Sequence, residues 1–108
     1  MLGGQEGEAV TQYQTEAEFQ SAIVEYAQAR GWLVHAQRPA RSDKGWRTPI
    51  QGDPGFPDLV LARAGVVVIA ELKSETGTVT SDQIRWGQAL ESYLWHPSDW
   101  PMIERMLA

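Results

Sequence analysis

The sequence contains no cysteine, which excludes disulfides and thiolate metal sites and fits a reducing compartment such as the cytosol. It also lacks any apolar run near the ~20 residues of a membrane span, and its first residues show no signal-peptide pattern. No membrane partner is therefore expected. No segment repeats. Histidine is scarce, and neither His35 nor His96 has a partner at a spacing suited to zinc or to acid–base chemistry.

What is present describes one modest domain. The 108 residues are 43% hydrophobic and 21% charged, ordinary for a globular protein with a small core. A net charge of −5 argues against a nucleic-acid partner, but its distribution argues the other way. Four of the nine basic residues, Arg38, Arg41, Lys44 and Arg47, fall within ten positions and are opposed there only by Asp43. Phosphate contact depends on local charge more than on the total.

Residues 1–14 are rich in Gly, Gln and Glu without periodicity and read as a loose tail, leaving a single domain over 15–108. Thr15-x-x-Glu18 is a capping box, and Phe19, Ala22, Ile23, Tyr26 and Ala27 form the apolar stripe of a helix that Gly31 ends. Glu18 is engaged at the cap. Glu16 lies on the flank of the stripe, about 60° from its centre, where it can reach a site on the sheet. Satisfying the helix dipole is the alternative role for Glu16.

Trp32–Gln37 reads as a strand. A loop without periodicity follows to Gly55, about eighteen residues against the ~12–15 usual for plain connectors. Leu59–Arg63 and Val66–Lys73 form a hairpin. The second strand is apolar on both faces and is expected to be central and covered. Thr80-x-x-Gln83 is a second capping box, opening a helix whose packed stripe is Trp86, Ala89, Leu90 and Tyr93. Tyr93–Trp95 is either a short strand or that helix's last turn. Ser98-Asp99 caps a final helix with Met102, Ile103, Met106 and Leu107 facing inward. The order is α-β-β-β-α-β-α, an α/β (α+β) arrangement in which a small mixed sheet carries flanking helices.

Within the hairpin, a turn at Ala64-Gly65 sets Arg63 opposite Val66, and stepping outward brings Asp58 opposite Glu71. Opposed residues have Cβ atoms roughly 4.5–5.5 Å apart, close enough for two carboxylates to share a cation. Lys73 lies on the same face as Glu71. Acids beside a lysine suit Mg²⁺-dependent phosphodiester hydrolysis, in which one or two carboxylates hold the ion and a lysine orients a water or offsets developing charge. The Leu72 carbonyl is a further candidate ligand. The alternative is a structural salt bridge at the hairpin end. Gly55 and Pro57 restrict the chain just before Asp58, which favours rigid presentation of that acid.

Gly55-x-Pro57-Asp58, the hairpin, Glu71-Leu72-Lys73 and Gln83 at a helix start together resemble the VRR-NUC (virus-type replication-repair nuclease) family of the PD-(D/E)XK superfamily. Glu16-x-x-Phe19, Arg30-Gly31-Trp32 and Trp95-x-Pro97-x-Asp99 extend the likeness from about Thr15 to Leu107. The resemblance implies a restriction-endonuclease-like core and metal ligands at Asp58 and Glu71, with Glu16 contributing directly or through water. It also implies a catalytic lysine at Lys73, an active-site role for Gln83, and Mg²⁺ as cofactor with Mn²⁺ able to substitute. The implied activity is structure-selective endonuclease cleavage of branched, Holliday-junction-like DNA by a homodimer. The freestanding chain is similar to phage members, which implies the host cytoplasm. One departure is that the stretch between the second helix and Tyr93 is shorter than the family pattern. Arg38, Arg41, Lys44, Trp46 and Arg47, with Ser74, are the candidate DNA contacts, Trp46 being able to stack on a base. A non-catalytic DNA-binding or scaffold protein of the same fold, or a ribonuclease, are the competing readings.

Overall fold

The computed structural model describes residues 14–37 and 50–108, together with the backbone of Arg41–Ser42 and Gly45–Trp46. The tail expected over 1–14 lies outside the described residues apart from Gln14. The described residues form an α+β domain with three α-helices and a four-stranded mixed sheet. In chain order the elements are α1 (Glu16–Ala29), β1 (Leu33–Ala36), β2 (Arg41–Ser42), β3 (Gly45–Trp46), β4 (Leu59–Arg63), β5 (Val66–Leu72), α2 (Ser81–Leu90), β6 (Tyr93–Trp95), a 3₁₀ turn (Pro97–Asp99) and α3 (Trp100–Leu107). The main sheet runs β1-β4-β5-β6, antiparallel except for the β5–β6 pair. The small β2–β3 pair interrupts what reads from sequence as a plain loop.

Both capping boxes form. Thr15 and Glu18 exchange hydrogen bonds of 3.0 and 3.1 Å at the start of α1, and Thr80 and Gln83 exchange bonds of 2.9 and 3.2 Å at the start of α2. Gly31 ends α1 at φ +88°, a conformation glycine adopts without a Cβ penalty. Helix α2 ends on Glu91 in the left-handed region, and the Ser92 N–H donates to the Gly87 carbonyl at 3.1 Å. Two residues therefore suffice to turn the chain into β6. Helix, turn and strand all fit where the sequence leaves little room for them, and Tyr93–Trp95 is a strand.

The β4–β5 register pairs Arg63 with Val66 and Leu59 with Ala70, as the hairpin arithmetic requires. Leu59, Leu61, Val68, Ala70 and Leu72 thus share one face. With Trp95 they are buried against Phe19, Ile23 and Ala27 of α1 and Trp100, Ile103 and Leu107 of α3. Each such large apolar side chain contributes about 1.5–3 kcal/mol through burial. Side chains on the sheet's rim tie α3 down. Trp32 Nε1 donates to the Leu107 carbonyl at 2.9 Å, Tyr26 Oη to the Glu104 carbonyl at 3.2 Å, and Arg63 to the Arg30 and Ala108 carbonyls.

Two expectations are corrected. Strand β5 is central but not covered on both faces, since Val67 is 60% exposed. Helix α2 buries no residue; Trp86 and Leu90 are half-buried, while Ala89 and Tyr93 are exposed. The reason is common to both. Helices α1 and α3 pack on the same face, leaving only the ten-residue α2 for the other. Among the described residues no helix is long and apolar enough to cross a membrane.

The two-residue hairpin loop has φ +52° at Ala64 and +83° at Gly65. Positive φ at both central residues is the type I′ pattern, which prefers Asn-Gly, and an L-residue such as alanine is disfavoured there by ~1–2 kcal/mol. Ala64→Asn is expected to stabilise the domain by about 0.5–1 kcal/mol, raising Tm by roughly 2–8 °C. Thermal unfolding followed by circular dichroism measures this; an unchanged or lower Tm would contradict the turn assignment.

Candidate active site

Three charged side chains, Asp58, Glu71 and Lys73, come together where β4 begins and β5 ends. Asp58 precedes β4, and its carbonyl accepts from the Gln37 N–H at 2.9 Å, extending the β1–β4 ladder by one link. Its Oδ2 accepts from the Leu72 N–H at 2.8 Å. Carried two steps past Leu59–Ala70, the pairing would set Leu72 against Pro57, which has no N–H to donate to the Leu72 carbonyl. The ladder stops short of that pair, and the Leu72 amide donates to the Asp58 side chain. The Leu72 carbonyl points along the same edge as its own N–H, toward Asp58, while the next amide, Lys73, turns to the Trp95 carbonyl of β6 at 3.0 Å.

One step beyond the Leu59–Ala70 pair, Glu71 stands opposite Asp58 on the face away from the α1–α3 core. Glu71 is 6% exposed, the one buried charged residue among those described. Among the described residues, neither of its oxygens receives a hydrogen bond. Lys73 Nζ is 3.7 Å from Glu71 Oε2, a charge contact rather than a hydrogen bond. A buried carboxylate without donors is costly, and burial pushes the Glu71 carboxyl up to about 8, with the Asp58 charge, a shared proton with Asp58 and the Glu16 charge adding to it and Lys73 opposing. The proton shared between the two carboxyls exists only while one of them is protonated. With both ionised, Glu71 faces Asp58 with nothing between them.

Glu16 belongs to the same electrostatic group. It sits exposed in the first turn of α1, and its carboxyl is raised by desolvation and by Asp58 against the lowering effect of Lys73. Glu18 is fully occupied at the α1 cap, as the spacing predicts. Among the described residues no three acidic or imidazole side chains close on a common point. The carboxylate core is thus the Asp58–Glu71 pair, with Glu16 within electrostatic reach of it.

Gln83 sits at the α2 cap, its Oε1 taken by the Thr80 N–H; only its amide nitrogen is left for a ligand. Ser74 is half-buried, next in chain to Lys73, and its carbonyl accepts from the Gly77 N–H at 3.0 Å. Of the candidate DNA contacts, Arg38, Lys44 and Arg47 lie outside the described residues. Arg41 and Trp46 are opposed in the β2–β3 backbone pair, their side chains lying outside the description. His35 is exposed on β1, and His96 Nδ1 lies 3.9 Å from Asp99 Oδ2.

Three supports of the site are not apparent from the sequence. A Cβ on Gly77 would lie 3.2–3.4 Å from Ser74 Oγ and from the Lys73 side chain, so glycine there lets the 74–77 turn close over the lysine. Glu75 accepts from Ser98 N and Oγ at 3.0 and 2.8 Å, tying that turn to the 3₁₀ segment. Gly55, at φ +98°, would place a Cβ 2.8–2.9 Å from Asp82. The glycines carried a signal of position, but their partners lie far off in the chain.

Comparison of the chain with models of protein families, with curated proteins and with solved structures returns no match.

The raised Glu71 carboxyl predicts a pH dependence of stability. An unfolded glutamate titrates near 4.5, so between there and about pH 8 the folded chain holds a proton the unfolded chain has lost. Stability should fall as pH rises through that window, by an amount on the order of a few kcal/mol. Glu71→Gln, which cannot ionise, should flatten the slope. Urea unfolding between about pH 5 and about pH 9 tests this; parallel curves for the two proteins would refute it.

Proposed function

We propose that this chain is a Mg²⁺-dependent, structure-selective DNA endonuclease with a PD-(D/E)XK core of the VRR-NUC type. The observation that carries the reading is the opposed pair Asp58 and Glu71, with both Glu71 oxygens lacking a donor and the Lys73 ammonium beside them. A structural salt bridge would not need a second acid pressed against the first. The branched-DNA preference, the homodimer and the ability of Mn²⁺ to replace Mg²⁺ are drawn from the family resemblance.

The residues fit a hard divalent ion. Oxygen donors from two carboxylates are the usual protein share of a magnesium site, water and substrate phosphate supplying the rest, and a cation would relieve the repulsion that raises Glu71. Asp58, Glu71 and the Leu72 carbonyl would hold it, with Glu16 contributing directly or through water. Bound there, it would supply charge neutralisation at the scissile phosphate and a more acidic water.

The chain's own groups do the remaining work. Leu72 N–H fixes one oxygen of Asp58, leaving the other to face the site. Glu71 must shed its proton before it can ligate, so metal affinity should rise with pH. Lys73, largely buried beside Glu71, has no acceptor at hydrogen-bond distance there; its N–H groups are available to orient an attacking water or to offset charge on the transition-state phosphorane oxygens.

Labelled four-way junction, flap, duplex and single-stranded substrates, in DNA and in RNA, incubated with Mg²⁺, Mn²⁺ or EDTA, test the proposal. Wild type should cut a branched DNA substrate with either metal and not with EDTA. Asp58→Ala, Glu71→Gln and Lys73→Ala should each lower the rate by about a hundredfold or more while leaving the fold intact by circular dichroism. Cleavage by Lys73→Ala at the wild-type rate would remove the lysine from catalysis. Preference for RNA would move the reading to a ribonuclease, and binding of junctions without cleavage would leave a scaffold.

A further inference from the structure

Helix α2 buries no side chain, yet it grips the segment that leads into Asp58. Trp86 Nε1 donates to the Pro54 carbonyl at 3.0 Å and stands 3.4 Å from the Asp53 carbonyl. The Trp86 ring meets Phe56 edge-to-face, centroids 5.1 Å apart at 82°, a favourable aromatic geometry. One turn earlier in the helix, Asp82 abuts Gly55 so closely that no Cβ would fit. Residues 53–56 are therefore held along their length by one side of α2. Pro57 follows, fully buried and with φ restricted by its ring, and Asp58 is next. Little torsional freedom separates the indole contact from the acid.

We infer that Trp86 is a positioning residue for Asp58: by fastening residues 53–56 to α2, it holds the Asp58 carboxyl on the Leu72 N–H and opposite Glu71. The consequence for catalysis rests on the nuclease reading, but the consequence for geometry does not. A helix that contributes nothing to the core gains a purpose from this arrangement. It acts as a splint on the approach to the acid, and Gly55 is the point at which splint and chain touch.

The Leu72 amide reports the geometry directly, because its acceptor is the Asp58 side chain. Hydrogen exchange of the full chain, followed residue by residue by NMR, should show this amide protected in wild type. Trp86→Phe keeps the ring against Phe56 but removes the indole N–H, and should speed Leu72 exchange roughly tenfold while the amides of Leu61 and Val68, paired within the β4–β5 ladder, stay unchanged. Trp86→Ala should do so more strongly. Acceleration of all three amides together would indicate general loosening and overturn the inference, as would no acceleration at Leu72 in either variant. On a substrate that wild type cuts, Trp86→Phe should lower kcat about ten- to a hundredfold with KM for DNA within about twofold. An unchanged kcat would remove the catalytic consequence. A wild-type protein that cuts no nucleic acid would instead sink the nuclease reading, leaving the exchange result to decide the positioning role by itself.

Discussion

A carboxylate buried opposite a second carboxylate is the constraint around which this small domain is arranged. Glu71 has no donor on either oxygen and faces Asp58 across a strand pair. Such a pair is unfavourable in a bare fold, because each charge is desolvated and each repels the other. The chain nevertheless holds it in register. The ladder ends at Leu59–Ala70, the Leu72 amide donates to Asp58, and Lys73 offers a positive charge 3.7 Å away that softens the repulsion without removing it. Stability has been given up locally, the usual mark of a site prepared for a ligand that is not part of the chain.

The remaining structure divides into a part that supplies stability and a part that holds the acids. On one face of the sheet, α1, α3 and five apolar side chains of β4 and β5 make the core, closed at its rim by indole, phenol and guanidinium bonds to the carbonyls of α3 and of the chain end. On the other face lie Glu71, α2 and a partly open apolar surface that includes Leu33 (78% exposed), Val67 and Leu94 (44% exposed). Placing the charged pair on the thinly covered face keeps it near solvent. Helix α2 serves that face through its hydrogen bond to Pro54 and its contact with Gly55 rather than through buried area.

Local rules carried the reading of the sequence a long way. The two capping boxes, the Phe19–Ile23–Ala27 stripe, the glycine stop at Gly31 and the hairpin register are all present as spacing, and each depends on residues within a few positions of one another. The opposition of Asp58 and Glu71 follows from the same short-range logic, since a two-residue turn determines every later pair in the ladder. Where the reading fell short, the deciding partner was distant. Apolar residues on both faces of β5 pointed to cover on both, but α1 and α3 pack on the same one. The apolar residues of α2 looked like a core stripe until Trp86 was seen to bond the chain more than thirty residues back.

By itself, then, the order of residues determined the capped helices, the β4–β5 hairpin with its register and hence which acids stand face to face, because capping, turn geometry and strand alternation act between near neighbours. The β2–β3 pair and the strand at Tyr93–Trp95 were not fixed that way. Only the tertiary structure decided how deeply Glu71 is buried, that both helices of the core pack on one face of the sheet, and that α2 is docked on the approach to Asp58. Those outcomes depend on desolvation and on contacts between segments remote in the chain, and neither quantity is encoded in spacing.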